Sequence, residues 1–507
     1  MFRPIAHRGP AAALAVAAAL AVAAPSPLVA APATSGSLSV GVASDPVTLD
    51  PVGMASFFEL AVQYNLHEPL LHLTPDLKVE PGLASFEAPD PLTYRFTLKP
   101  DLTFQDGTPI DAAAAKANFD RMLDPATGSP RRSELGPVAS VEVTGPLTFT
   151  IRLKAPYAPL PSVLANRAGM LVSPAAVKAL GPDFATRAVG AGPYRLVSWT
   201  KNAELVLERF PGYWRGPAPI ERLVFRPMAD ETVRMTNLRA GTVGLVDAVP
   251  PQAVAQLRRD PALAVKERDG LGFNAFSFNI AKPPFDDLRV RRAFAMAVDP
   301  ATVQKAVYFG TGVPAYGPIP PSIAWAHDGD FKPPKPDPRG AKALLAEAGH
   351  SSPLAVTITV TNSPAQVRTA EILQAMADAA GFAVRVKQVD ATSLISVLRG
   401  HDFDLCMSPW SGRPDPDGDT YNYLTKNGPN NFAGYNSDRT TELLEGARAE
   451  AVPERRAALY HQAEAQVRAD DPMLFLTFPS TIQASSASLD WQQYPDGALE
   501  LQFAHLR

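Results

Sequence analysis

Four consecutive residues in the stretch His401–Asp419, HDFDLCMSPWSGRPDPDGD, could recognise a small molecule: Trp410, Ser411, Gly412 and Arg413. They supply an indole face, a hydroxyl, a glycine-opened backbone and a guanidinium. Such a set at the end of an apolar strand suits a concave binding site. A guanidinium favours carboxylate or phosphate partners. Phe403, Leu405 and Met407 alternate with polar neighbours and predict that strand. Pro409 ends it, and Pro414 and Pro416 keep regular structure from resuming. Two plainer readings stand beside this one. Arg413 could pair with Asp415 or Asp417 in its own loop, and Trp410 could wall the core.

Other chemistry is weakly supported. His67-Glu68 starts like a zinc-protease motif, but the fourth residue after His67 is Leu71, and Pro69 interrupts the helix. Asp415 to Asp419 starts like a calcium loop, but its sixth position is Thr420 and its twelfth is Lys426. The eight histidines are scattered. No nucleophile-elbow, phosphate-loop or dinucleotide motif is found, so neither an enzyme nor a cofactor is expected. The net charge of −4, without basic runs longer than a pair, argues against nucleic acid. The single cysteine, Cys406, reads as a small buried hydrophobe.

The elements that position the loop follow from periodicity. Residues 1–30 carry Arg3, Arg8 and an Ala/Leu/Val run, and read as a secretory signal peptide. With no cysteine near the cleavage site, no lipid anchor is expected. The remaining length suggests two or three domains or lobes. In the first half, strands are expected at 38–43, 92–98, 141–143 and 147–153, with a hairpin at 194–208. A helix is expected from Phe58 to Leu71, and another over 112–123 with Asp111 as its cap. In the second half, strands at 354–360, 382–386 and 403–407 alternate with helices. That order implies parallel pairing with right-handed crossovers. Ligands of such sheets sit beyond the carboxyl ends of strands, where Trp410 to Arg413 fall.

An ordered set of segments resembles one family. They are Asp106-Gly107-Thr108-Pro109, Gly192-Pro193-Tyr194, Tyr213-Trp214, Val290 to Phe294 with Ala297-Val298-Asp299, and Lys342 to Gly349. Asp402 to Leu405 before Trp410, and Asp415-Pro416, complete it. From about residue 37 to about residue 480 the chain resembles the extracellular solute-binding proteins of family 5, the dipeptide-, oligopeptide- and nickel-type receptors of ABC importers.

The resemblance implies an α/β two-lobe periplasmic-binding-protein fold of type II, hinged, with an extra subdomain in lobe one. It implies lobe one at 37–270, lobe two at 271–474 and a return to lobe one at 475–507. The expected role is capture of a small organic solute, peptide-like and anionic, in the periplasm. Delivery is to a permease with its ATPase, by a receptor expected to be monomeric. A metal-chelate receptor and a secreted hydrolase are the alternatives. Peptide receptors of the family carry an aspartate after Trp-x-Gly for the ligand ammonium. Here Arg413 stands instead, which favours an anion, unless Asp415 takes over the ammonium. Phe57, Phe58, Arg167, Asn279 and Tyr435 are further cleft candidates. Their alternatives are a helix core face for the phenylalanines, solvation for Arg167, a turn cap for Asn279 and lobe-two packing for Tyr435.

Overall fold

The computed structural model describes residues 36–54, 57–350 and 353–507. The expected signal peptide and the Phe57 side chain lie outside the described parts. Among the described residues, two large mixed sheets organise the chain. The first runs Tyr194–Thr200, Glu204–Arg209, Arg222–Pro227, Ser37–Val42, Leu245–Val246, Ser480–Ser486, Leu263–Asp269. Leu38, Val40 and Val42 point into its core because strand side chains alternate. The second runs Val313–Pro314, Met473–Phe478, Asn274–Phe278, Leu405–Met407, Leu354–Thr361, Phe382–Val389.

The strand–helix alternation reads through to the fold. Leu354–Thr361 pairs in parallel with Phe382–Val389 and with Leu405–Met407. Helices Pro364–Ala379 and Ala391–Arg399 make the connections. The rest of this sheet is antiparallel, so the sheet is mixed.

A four-stranded antiparallel sheet, from Ala84 to Leu153, forms the extra subdomain. Helix Ala112–Leu123 contributes Phe119 to its core, beside Phe96 and Phe149 stacked at 5.0 Å. Asp111 caps that helix by accepting from the Ala114 N–H at 2.8 Å.

The chain passes between the large sheets twice. The first passage is Gly270 to Phe273, between Leu263–Asp269 and Asn274–Phe278. The second is Pro479, since Met473–Phe478 lies wholly in the second sheet. The expected return is at 475; in the structure a strand buried along its whole length runs to Phe478 before Pro479 stops it. The passages touch, with the Gly270 N–H donating to the Pro479 carbonyl at 3.1 Å. The helix expected to reach Leu71 ends at Leu66. Pro69 cannot continue it, and Leu71–Leu73 instead pairs with Val79–Pro81.

Candidate functional site

The loop after Leu405–Met407 is welded to the first passage. Phe273 and Trp410 exchange both backbone hydrogen bonds, at 3.0 and 2.9 Å. The chains approach so closely that two glycines are required. A Cβ on Gly272 would lie 1.9 Å from the Trp410 carbonyl oxygen. Gly412 has φ +81°, and a Cβ there would lie 2.2 Å from Leu271 backbone. Gly412 thus opens the backbone for the hinge rather than directly for a ligand. Trp410 is half-buried, edge-on to Tyr423, which is edge-on to Phe273. Its indole N–H donates to Asp419 Oδ1 at 2.7 Å, and the Arg413 N–H donates to the same oxygen at 2.9 Å. Asp419 Oδ2 is sealed from solvent without a partner among the described residues. Burial pushes this carboxyl far up, against the pull of Trp410 and Arg413.

Arg413 pairs with neither loop aspartate. Asp415 is held by Arg456 through two contacts of 2.7 Å, and Asp417 by Arg448 at 2.8 and 2.7 Å. Its guanidinium lies 4.5 Å from the Trp410 ring and crosses to the other lobe, where Nε meets Glu134 Oε1 at 3.3 Å. Glu134 also binds Arg131. Arg167 completes the cluster: it is buried, and its Nε has no hydrogen-bond partner among the described residues. Burial, then Arg413 and Arg131, pull the Arg167 guanidinium down to about 9. Burial alone would raise Glu134, but Arg131, Arg413 and Arg167 outweigh it and hold its carboxyl below the usual range. Two guanidiniums therefore meet one carboxylate, and the field of a third, Arg167, reaches both Glu134 and Asp496.

Beside Arg413 and Glu134 lies a chamber of about 50 Å³, lined also by Tyr157, Asn166, Asp415 and Arg448 among others. A chamber of about 210 Å³ lies on the hinge side, walled by Asp247, Gly270 to Gly272, Trp410, Ser411 and Thr481. Beside the first chamber the lobes meet directly, the Ala158 N–H donating to the Arg448 carbonyl at 2.8 Å.

Other expected residues fall elsewhere. Asn279 sits past the far end of its strand, its amide spent on the carbonyls of His401 and Phe403 and the N–H of Ala281. Tyr435 packs inside the second lobe, its hydroxyl on Thr440 and Asp470. Asp415, buried against Arg456, is no free acceptor for an ammonium. Phe58 is exposed, in the short 3-10 helix Phe57–Glu59. Sequence reasoning missed Arg131, Glu134 and Asp419. Arg131 and Glu134 have the spacing of a local ion pair, and nothing local shows that Arg413, 279 positions away, joins them.

Among the described residues, no group of three or more His, Cys, Asp or Glu could hold a metal ion. Nor is any helix there long and apolar enough to cross a membrane.

Residues 78–432 match the model of the bacterial extracellular solute-binding proteins, family 5 Middle. Among curated relatives, the glutathione-binding protein GsiB of Salmonella paratyphi A is 29% identical over 465 residues, covering 89% of this chain and 90% of that one. DppA from Helicobacter pylori, a periplasmic binding protein solved with the peptide STSA, superposes with a TM-score of 0.82 at 24% identity. That alignment covers 93% of this chain and 98% of the other. AgaA from A. tumefaciens R10, solved with agropinic acid, gives 0.81 at 25% identity, covering 93% and 99%. The likenesses establish the α/β two-lobe periplasmic-binding-protein fold of type II.

Proposed function

Because the chain belongs to the bacterial extracellular solute-binding proteins of family 5, the solute-carrying components of ABC importers rather than enzymes, we propose that it captures an anionic, peptide-like or opine-like solute between its lobes. One observation carries the reading: Arg131 and Arg413 converge on Glu134, and the buried Arg167, close enough to feel both guanidiniums, has a sealed, unpartnered Nε. Burial makes a guanidinium costly when its hydrogen bonds are incomplete, so a carboxylate delivered there is favoured. Arg413 from one lobe and Arg167 from the other attract that carboxylate, while Trp410 and Ser411 wall the separate hinge-side chamber. Glutathione and agropinic acid, named for two relatives, carry carboxylates, which agrees with this chemistry. Residues 1–30 act as a signal peptide, and the receptor works as a monomer in the periplasm, serving a permease with its ATPase.

Melting-temperature shifts with glutathione, an acidic dipeptide and agropinic acid, against neutral counterparts, test this. Ligand at a hundred times Kd adds about 2.7 kcal/mol. Arg413→Ala is expected to weaken the anion by about ten- to a hundredfold. Arg167→Gln is expected to weaken it while raising the melting temperature of the empty protein. Shifts with neutral solutes alone, or unchanged anion affinity in both variants, refute the reading.

A further inference from the structure

A third chamber between the lobes is the largest of the three, at about 800 Å³. Lobe one supplies Leu77, Val79 and Pro495; lobe two supplies Ile323, Trp325 and Pro453. Trp325 is 39% exposed, while its neighbours Ile323 and Ala326 are buried in the core of lobe two. Large indoles normally bury most of their surface, so the part of Trp325 left open on a chamber wall is available for contact. It is also held in place. Tyr460 meets its ring edge-on at 6.0 Å, the Arg456 guanidinium lies 5.3 Å from the ring, and Ser322 donates to the Gly270 carbonyl of the hinge at 2.7 Å. Leu77, at φ +61°, packs across from lobe one against the core of lobe two.

The chamber's charges are already matched. Arg268 pairs with Asp76, and Arg456 with Asp415. The remaining Lys78 and Asp269 are opposite and exposed. Nothing here calls for a second ion, whereas the part-exposed indole and aliphatic walls suit an apolar group. The chamber is also near the guanidinium cluster. Trp325 faces Arg456, Arg456 grips Asp415 at 2.7 Å, and Asp415 lines the chamber around Arg413. One ion pair separates the two spaces.

Resting on the anionic reading above, we propose that this chamber seats the body of the same solute, an aromatic or bulky apolar group stacked on Trp325. The receptor then selects two-part molecules: a carboxylate head at Arg167 and Arg413, and an apolar body beside Trp325.

N-acetylglutamate and N-benzoylglutamate test this by calorimetric titration, since both are dianions and differ in the acyl group. The benzoyl compound is expected to bind about tenfold tighter. Trp325→Ala is expected to weaken it at least fivefold more than the acetyl compound, and Trp325→Phe to restore most of the difference. Equal affinity of the two compounds for the native protein, or equal losses in Trp325→Ala, overturns the chamber assignment and leaves the anionic reading standing. Binding of neither compound overturns the anionic reading itself, and the chamber with it.

Discussion

Asp415→Asn is expected to destabilise the second lobe while sparing the head group's recognition. The two carboxylate oxygens of Asp415 meet Arg456 Nη1 and Nη2 at 2.7 Å each, and one also accepts the Asp417 N–H at 2.9 Å. The side chains are 11% and 7% exposed. Removing one partner of such a pair leaves a buried charge and costs about 3–5 kcal/mol. If a lobe of about 200 residues melts as a unit, its unfolding entropy is about 0.4 kcal/mol/K, and the midpoint falls by roughly 7–12 °C. Asp415→Asn with Arg456→Met, which exchanges the pair for an amide and an apolar side chain, is expected to recover much of that loss. Calorimetry of the single and double variants reads the effect directly, and titration with an anionic solute reads recognition. A loss under about 1 kcal/mol would show that the pair is not compensated as its geometry implies. An intact melting point with abolished binding would instead make Asp415 a ligand residue.

Four further outcomes follow. Glu134→Gln removes the carboxylate joining the lobes through Arg413, so small-angle scattering should show a larger radius of gyration for the empty protein. An unchanged radius would deny Glu134 that role. Glu134 titrates below its usual range, so its stabilisation is complete above the unfolded value of about 4.3 and is lost as pH falls through the lower folded value. The native protein should therefore lose stability faster on acidification than Glu134→Gln does. Glu464 behaves oppositely: burial, only partly offset by Arg468, raises its carboxyl to about 8. The unfolded chain ionises first, so Glu464 destabilises the fold increasingly between about pH 4.5 and 8, by up to about 1.4 kcal/mol per unit. Glu464→Gln should gain on the native protein across that window in urea titrations, and a flat difference would refute it. Gly272→Ala should displace the Trp410 loop and shift its fluorescence to the red; unaltered emission and stability would mean that the backbone yields freely.

Much of the fold was legible because local patterns decide it. Asp111 caps its helix where its spacing predicts, and Leu354–Thr361 lies parallel to its neighbours as the strand–helix alternation requires. The helix at Phe58 ran too long in the sequence reading because apolar residues continue past Pro69 into paired strands. The loop at Trp410 was found from residue types alone, but its partners were not. Arg413 reaches Glu134 across a cleft, and Asp415 reaches Arg456 from another helix. Pairing over such separations depends on how lobes and helices pack, which no local period encodes. Asn279 and Tyr435 were polar candidates whose hydrogen bonds prove to be spent inside lobe two.

The double hydrogen bond between Phe273 and Trp410 also bears on time. The proposed solute loop is thereby tied to the first passage between the large sheets. If guanidiniums on both lobes hold the head group, as proposed, its departure waits for the lobes to part. Dwell time is then set by how often the passages at Gly270 and Pro479 yield, with each solute's own contacts entering through their effect on that event. Chemically different cargoes would share a similar release step, and a membrane partner that pries the hinge could unload them all in the same way.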